Sequence, residues 1–320
     1  MQQSILTLTL NPAIDKSVEV DHVVDEKKLR CGKPRFEAGG GGLNVSRAIL
    51  QLGGTSKTVY TSGGPTGQLL ANLLEEAGLD KHRIDIHGLT RENLTVLETS
   101  TNRQFRFNTP GAEMTREELD HAIAAVLGRE EGADKPDFLV ASGSLPPGVP
   151  AGFYAEMSRR AADEGIKVIV DTSGEALRRV SESGRCYLLK PNFAELQTLV
   201  GRELEDDDAI VKAARDLIGK GVSEIIIVSL GSAGALAVSH DLCERVPAPT
   251  VQIRSRVGAG DSTVAGFVLA LARGKDLHHA VRFGVAAGAA CVMTPGTELC
   301  RREDTEHLYE QLLNTERQRT

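Results

Sequence analysis

The sequence predicts an α/β protein built on a doubly wound, mostly parallel sheet flanked by helices, with a small β-sheet lid over one end. Three observations predict it. Short runs rich in Val, Ile and Leu alternate with amphipathic helical stretches, the pattern of strand–helix–strand units. Two pairs of segments alternate apolar and polar residues with no helix between them. Several glycine-rich stretches follow the short runs, at the strand ends where open α/β sheets bind ligands.

Taken in order, strands are expected at residues 5–10, 57–61, 138–141, 167–170, 187–189 and 224–229. Helices are expected at 44–52, 67–77, 115–127, 152–162, 207–218, 263–272 and 277–291, where apolar residues recur at helical spacing. The third helix opens on Thr115-Arg-Glu-Glu118, a capping-box pattern that fixes its start. Segments 17–24 with 28–38, and 94–98 with 103–108, read as antiparallel hairpins. They flank the glycine-rich entry to the sheet, so we expect them to combine into a lid formed by about 16–38 and 92–110; an edge sheet with no role at the site has the same pattern. The whole of 1–320 then forms one domain, with 314–320 frayed.

Composition narrows the function. A formal charge of −7, no Trp and 4% aromatic residues argue against a nucleic-acid groove or an anionic-membrane surface, since neither a basic face nor stacking platforms are available. The first residues carry no basic stretch before a long apolar run, and no segment approaches 18 uninterrupted apolar residues, so a cytoplasmic protein is expected. The five cysteines are scattered without a CxxC pair, which suits a reducing compartment better than a disulfide framework or zinc site.

The stretch Val257-Gly258-Ala259-Gly260-Asp261-Ser262 carries the most chemistry. Amides that open a helix lack intrahelical partners and sit at the positive end of the macrodipole, so they attract anions. Gly258, Ala259 and Gly260 can thus cradle a phosphoryl group beside Asp261, placed as a general base; a plain turn and helix cap would look alike. Four consecutive glycines at 39–42, ending in Asn44, leave backbone bare for a polar ligand or form a flexible turn. Asp15, after the first strand, can accept hydrogen bonds from sugar hydroxyls, and the stiff turn Ser142-Gly143-Ser144-Leu145-Pro146-Pro147 holds hydroxyls and amides in fixed directions. Asn192 and Glu195 lie one helical turn apart, spaced to hold the water shell of a magnesium ion or to make a capping box. Ser229-Leu230-Gly231-Ser232-Ala233-Gly234 can pass under a base or phosphate, or simply turn the chain. The chain has no GxSxG elbow, GxGxxG fingerprint, Gly-x4-Gly-Lys P-loop or HExxH pair.

Together and in this order, TLTLNPAID, KLRCGKPRFEAGGGGLNVSRAI, TREN, RFNTPGA, SGSLPPGV, VDTSGEAL, LKPNFAEL, VSLGSAGAL, VGAGDS, RFGVAAGAA and PGTELC resemble the ribokinase-like (PfkB) carbohydrate kinases, in the branch of the bacterial minor 6-phosphofructokinases. The resemblance covers almost the whole chain. It implies ATP-dependent phosphoryl transfer to the C1 hydroxyl of fructose 6-phosphate, and often a homodimer in which the lids clasp. Tagatose 6-phosphate or fructose 1-phosphate as acceptor, and a non-catalytic sugar-phosphate sensor, are the competing readings. The resemblance makes Asp261 the base and Gly258, Ala259 and Gly260 the anion hole. It gives the sugar to Asp15, Gly40, Asn44 and Ser144, and the existing phosphate to Lys28 and Arg91. It assigns ATP and Mg2+ to Lys190, Asn192, Glu195, Ser229, Gly231 and Gly234. Two departures bear on substrate and ion. Sister kinases for fructose 1-phosphate or tagatose 6-phosphate commonly have Lys where this chain has Gly41; Ser255-Arg256 replaces the Asp-Thr of many relatives. Ser255 and Val257 fall where relatives hold K+ through backbone carbonyls, so monovalent-cation dependence is an open expectation.

Overall fold

The computed structural model describes residues 2–129 and 134–317. The chain begins with β1 (Ile5–Thr9), β2 (Ala13–Val20), β3 (Arg35–Gly39), α1 (Gly41–Gln51), β4 (Lys57–Ser62), α2 (Gly64–Glu76) and β5 (Asp80–Asp85). It continues through β6 (Arg91–Glu98), β7 (Arg103–Phe107), α3 (Arg116–Val126), β8 (Phe138–Ser142), α4 (Phe153–Asp163), β9 (Lys167–Asp171), α5 (Gly174–Ser183) and β10 (Cys186–Leu189). The last part contains α6 (Phe193–Val200), α7 (Asp207–Gly219), β11 (Ser223–Ser229), β12 (Ala235–Val238), β13 (Cys243–Val246), α8 (Ala259–Ala272), α9 (Leu277–Val292) and α10 (Arg302–Arg317).

Strands covered on both faces should be apolar along their whole length, and β1 and β8 are buried at every position. They lie side by side in a sheet ordered β13-β12-β11-β10-β9-β8-β1-β4-β5. The pairings from β11 to β5 are parallel, and only the β11–β12 and β12–β13 edge is antiparallel. Alternate side chains feed two cores. Leu139 and Ala141 of β8 pack with Leu119 of α3, Tyr154 of α4 and Leu217 of α7. Phe138 and Val140 pack with Ile49 of α1, Phe267 of α8, Val285 of α9 and Leu308 of α10. Burying each such large side chain contributes about 1.5–3 kcal/mol, so both layers are held firmly against the sheet.

A separate four-stranded sheet, ordered β3-β2-β6-β7, stands beside this layer. Two antiparallel pairs, β2–β3 and β6–β7, join through parallel β2 and β6, as the two expected hairpins combine. The first differs from expectation in extent: the strands are 13–20 and 35–39, and 21–34 contains no strand. Glu26 adopts a left-handed φ of 55°, Pro34 has no amide to donate, and Gly32 N–H closes onto Glu19 O at 2.9 Å. The expected alternation of valines and charges in that stretch therefore marks a loop.

The capping box at Thr115 and Glu118 is present, with Glu118 N–H donating to Thr115 Oγ1 and Thr115 N–H to Glu118 Oε2. Helix α8 starts at Ala259, four residues before the expected Thr263, because Gly258 takes φ 77° and lets the chain enter the helix there. Helix α1 likewise starts at Gly41. Strands β5, β12 and β13 and helices α5, α6 and α10 were not among the expected elements. Helix α10 includes 314–317, so the expected frayed end is helical that far; 318–320 lie outside the described residues. No helix among the described residues is long and apolar enough to cross a membrane.

Candidate active site

In the large sheet β1 and β8 are neighbours, yet the chain winds away from them in opposite directions, to β4 and β5 on one side and to β9, β10 and β11 on the other. Such a switch point opens a crevice outside the carboxyl ends of the two strands. The loops leaving them meet there: Asn11 Nδ2 donates to Ser144 Oγ at 3.0 Å, joining positions 133 residues apart.

Helix α8 points its N-terminus into this crevice. Ser262 N–H bonds back to Gly258 O at 2.8 Å, so the amides of Ala259, Gly260 and Asp261 have no partner inside the helix. Gly258 is favoured by its positive φ, and a Cβ there, 2.5 Å from Leu299 Cδ2, would also displace that side chain. Asp261 in this first turn accepts from Asn44 Nδ2 at 2.9 Å. Burial, then the charge of Asp171, push its carboxyl up to about 7, while the Asn44 bond, Lys190 and Arg47 restrain the rise. A carboxyl poised there can take a proton at neutral pH. Lys190, its side chain only 8% exposed, pairs with Asp171 at 3.0 Å. Burial pulls the Lys190 ammonium down, but Asp171, Asp261 and Glu195 together raise it above its ordinary value. A Cβ on Gly260 would lie 3.9 Å from Lys190 Nζ, so a fixed positive charge borders the open amides.

On the other side of the crevice, Asp15 of β2 accepts from Asn93 Nδ2 at 2.8 Å, and burial raises its pKa while Asn93 and Arg91 oppose the rise. Gly40, at φ 129°, brings bare backbone against Thr9 and Pro12; a Cβ would stand 2.7 Å from Thr9 Cγ2. At Gly41 a Cβ would collide with the Ser142 hydroxyl and lie 2.9 Å from Gly143 N, so a longer residue there requires the 142–143 turn to move. Arg91 donates to Asn11 O through Nη2 at 3.0 Å and Nε at 3.3 Å, and to Thr109 O through Nη1 at 3.1 Å. Three of its five N–H groups are thus engaged, leaving two for a ligand. Lys28 is not brought into this group: it is exposed in 21–34, with no hydrogen bond or ion pair among the described residues.

The remaining expected positions gather beyond β10 and β11. Asn192 bridges to Ser229, whose N–H donates to Pro191 O at 3.0 Å. Asn192 and Glu195 form a reciprocal capping box, with Glu195 N–H to Asn192 Oδ1 at 2.9 Å and Asn192 N–H to Glu195 Oε2 at 2.8 Å. Glu195 Oε1 has no protein partner among the described residues, leaving one hard oxygen for a hydrated Mg2+. Gly231 opens a short 3-10 turn, 231–233, and Gly234 follows at φ 94° with the main chain of Val246 and Ala248 against it. The Ser255 hydroxyl is occupied, donating to Gly296 O at 2.5 Å, whereas among the described residues Val257 O receives only the weak thiol donor of Cys291 at 3.3 Å. A carbonyl so weakly engaged is a donor of the kind K+ takes.

Four participants were not singled out from the sequence: Asn11, Arg47, Asn93 and Asp171. Asp171 ends β9, so the strand-end rule that selected Asp15 could have found it. Arg47 follows Asn44 at i+3 and shares its helix face.

The fold and the crevice define an α/β protein in which a helix end with open amides lies beside a buried carboxyl. The family model for pfkB family carbohydrate kinases matches residues 8–304, and the chain belongs to that family. It is 42% identical over 305 residues to ATP-dependent 6-phosphofructokinase isozyme 2 of Escherichia coli K12, covering 95% of this chain and 97% of the relative. The crystal structure of phosphofructokinase-2 from Escherichia coli in complex with potassium superposes with a TM-score of 0.91 at 42% identity, over 97% of this chain and 99% of that one. The same enzyme in complex with fructose-6-phosphate gives 0.89 at 41% identity, with equal coverage.

Proposed function

We propose that the protein transfers the γ-phosphoryl group of ATP to the C1 hydroxyl of fructose 6-phosphate, giving fructose 1,6-bisphosphate and ADP. The observation that carries this reading is Asp261, held by Asn44 in the first turn of α8 beside unpartnered amides and Lys190. Phosphoryl transfer asks a protein mainly for alignment and charge neutralisation, and these groups supply both. Asp261 takes the C1 proton as the oxygen attacks the γ-phosphorus, the bond to the β-phosphate oxygen breaks, and ADP leaves. The amides of Gly258, Ala259 and Gly260 meet the migrating group. Asp15, Gly40, Asn44 and Ser144 hold the sugar, Arg91 clamps its phosphate with its two remaining N–H groups, and Lys28 adds charge from the exposed loop.

Lys190, Ser229, Gly231 and Gly234 serve the nucleotide, and Asn192 with Glu195 would hold Mg2+ through water. That ion neutralises phosphate charge when bound. Ser255 and Val257 carbonyls would hold K+; higher turnover in potassium than in sodium buffer is expected, and equal rates remove this site.

The chain then acts as one domain in which the small sheet is a lid. Its exposed Val23, Val24, Leu29, Phe36 and Phe107 supply the apolar contact of a homodimer, which light scattering tests by mass. A reducing cytoplasm suits the five free thiols. The deciding experiment measures ADP release with fructose 6-phosphate, tagatose 6-phosphate, fructose 1-phosphate, ribose and adenosine side by side. Fructose 6-phosphate should have the highest kcat/KM. A better rate with another phosphosugar replaces the acceptor, and binding without ADP release replaces the enzyme with a sensor.

A further inference from the structure

We propose that Arg47 is the positioning residue of the base: by holding the Asn44 amide in one orientation, it fixes the Asp261 carboxylate and ties it to strand β3. The inference rests on the reading of Asp261 as base and extends it to a residue that touches neither substrate nor phosphate in that scheme.

An asparagine amide can face its partner with either end, and only the Nδ2 end can donate to a carboxylate. Arg47 Nη1 donates to Asn44 Oδ1 at 3.3 Å, which leaves Nδ2 as the end that meets Asp261 Oδ2 at 2.9 Å. The same Nη1 donates to Ala38 O at 3.0 Å, so the guanidinium is itself anchored on β3. Asn44 and Arg47 share one face of α1, whereas Asp261 comes from α8, 217 residues away from Asn44. With Arg47 removed, the carboxylate alone holds the amide: Asn44 Oδ1 loses its donor and the tie to β3 is cut, so the amide and Asp261 gain freedom to turn.

The charged groups around the base are distributed over every neighbouring element. Arg47 lies on α1, Asp171 ends β9, Lys190 follows β10, and Glu37 of β3 and Asp15 of β2 face Arg47. Burial lowers the Arg47 pKa, and Glu37, Asp15 and Asp261 oppose that fall. Glu37 is held in turn by the Thr297 hydroxyl. Arg47 is one of the two cations that keep the base from rising further.

The test compares Arg47→Met, Arg47→Lys and Asp261→Asn with the wild type at several pH values, measuring kcat, both KM values and ATP binding by calorimetry. Arg47→Met should lose about 10–100-fold in kcat with the ATP KM and affinity within about twofold, and the acidic limb of kcat/KM should move to higher pH. Arg47→Lys, which keeps the charge and can donate to both acceptors, should restore the limb and part of the rate. Guanidinium ion added to Arg47→Met should raise its kcat. If Arg47→Met has wild-type kcat, or a reduced kcat with an unmoved limb and no recovery by Lys or guanidinium, the positioning role is rejected. Should Arg47→Met fail to fold, Arg47→Gln, which removes the charge and keeps a polar chain, takes its place under the same expectations and the same grounds for rejection. Loss of turnover in Asp261→Asn with wild-type behaviour in both Arg47 variants would reject only Arg47; near-wild-type turnover in Asp261→Asn would reject the base itself.

Discussion

Around Asp15 and Asp261, side chains hold side chains: Asn93 on Asp15, Asn44 on Asp261, Asn11 on Ser144, with Arg47 behind Asn44. Around Ser229 the contacts run through the main chain, in the Asn192–Ser229 bridge, the 231–233 turn and the left-handed Gly234. The proposed acceptor half of the crevice is therefore held largely by polar side chains, and the proposed nucleotide half is shaped more by backbone. Removing a polar group should damage the first. Adding a methyl should damage the second.

The largest effect expected is at Asp261. Asp261→Asn should bind ATP and lose turnover by about 10²–10⁴-fold or more. The same variant separates function from stability. The folded carboxyl titrates at about 7 against an ordinary 3.8, so between those values the folded chain keeps a proton that the unfolded chain has lost. Raising pH through that window therefore lowers wild-type stability. Asp261→Asn should melt above the wild type at pH 8, and the gap should close as pH falls towards 4. Calorimetry at both pH values checks this, and a constant gap would break the assignment of a raised pKa.

Next in size is Arg91. Losing a charge-assisted contact to a sugar phosphate is worth about 1.5–3 kcal/mol, so Arg91→Ala should raise the fructose 6-phosphate KM by roughly 10–150-fold with the ATP KM little changed. An equal rise in both would show that the two halves are not separate in the way proposed.

Gly234→Ala tests the backbone half. Its φ of 94° and the Val246 and Ala248 main chain leave no room for a Cβ, so the variant should lose about 1–3 kcal/mol of stability and raise the ATP KM, sparing the sugar KM. The smallest effect is Asn192→Ala, which removes a helix cap worth about 1 kcal/mol. Denaturant unfolding measures it, and a much larger loss of activity than of stability would assign Asn192 a direct role at the metal.

Much of this arrangement can be read along the chain, where the local pattern and the three-dimensional role coincide. Gly258 to Asp261 is legible because glycines, a carboxylate and an apolar helix occur in one stretch, and a helix end is a local object. Arg47 is not, since a single arginine on an amphipathic helix is usually solvated, and its role depends on Ala38 and on Asp261 far along the chain. Asp171 could be reached through its place at the end of β9, but its pairing with Lys190, just past the neighbouring β10, shows only once the strands are side by side. The 21–34 loop misled because valines alternating with charges imitate a half-buried strand, while Pro34 and the turn at Glu26 decide otherwise. The antiparallel edge was missed because β12 and β13 are four residues each, too short for a period to show.

The hydrogen bond between Asn44 and Asp261 also has a kinetic side. Its two ends are separated by most of the polypeptide, so a growing or refolding chain closes this contact only after the intervening strands have found their neighbours. Recovery of catalysis after dilution from denaturant should lag behind recovery of helical circular dichroism, and enzymatic turnover would then act as a clock for the final assembly of the molecule.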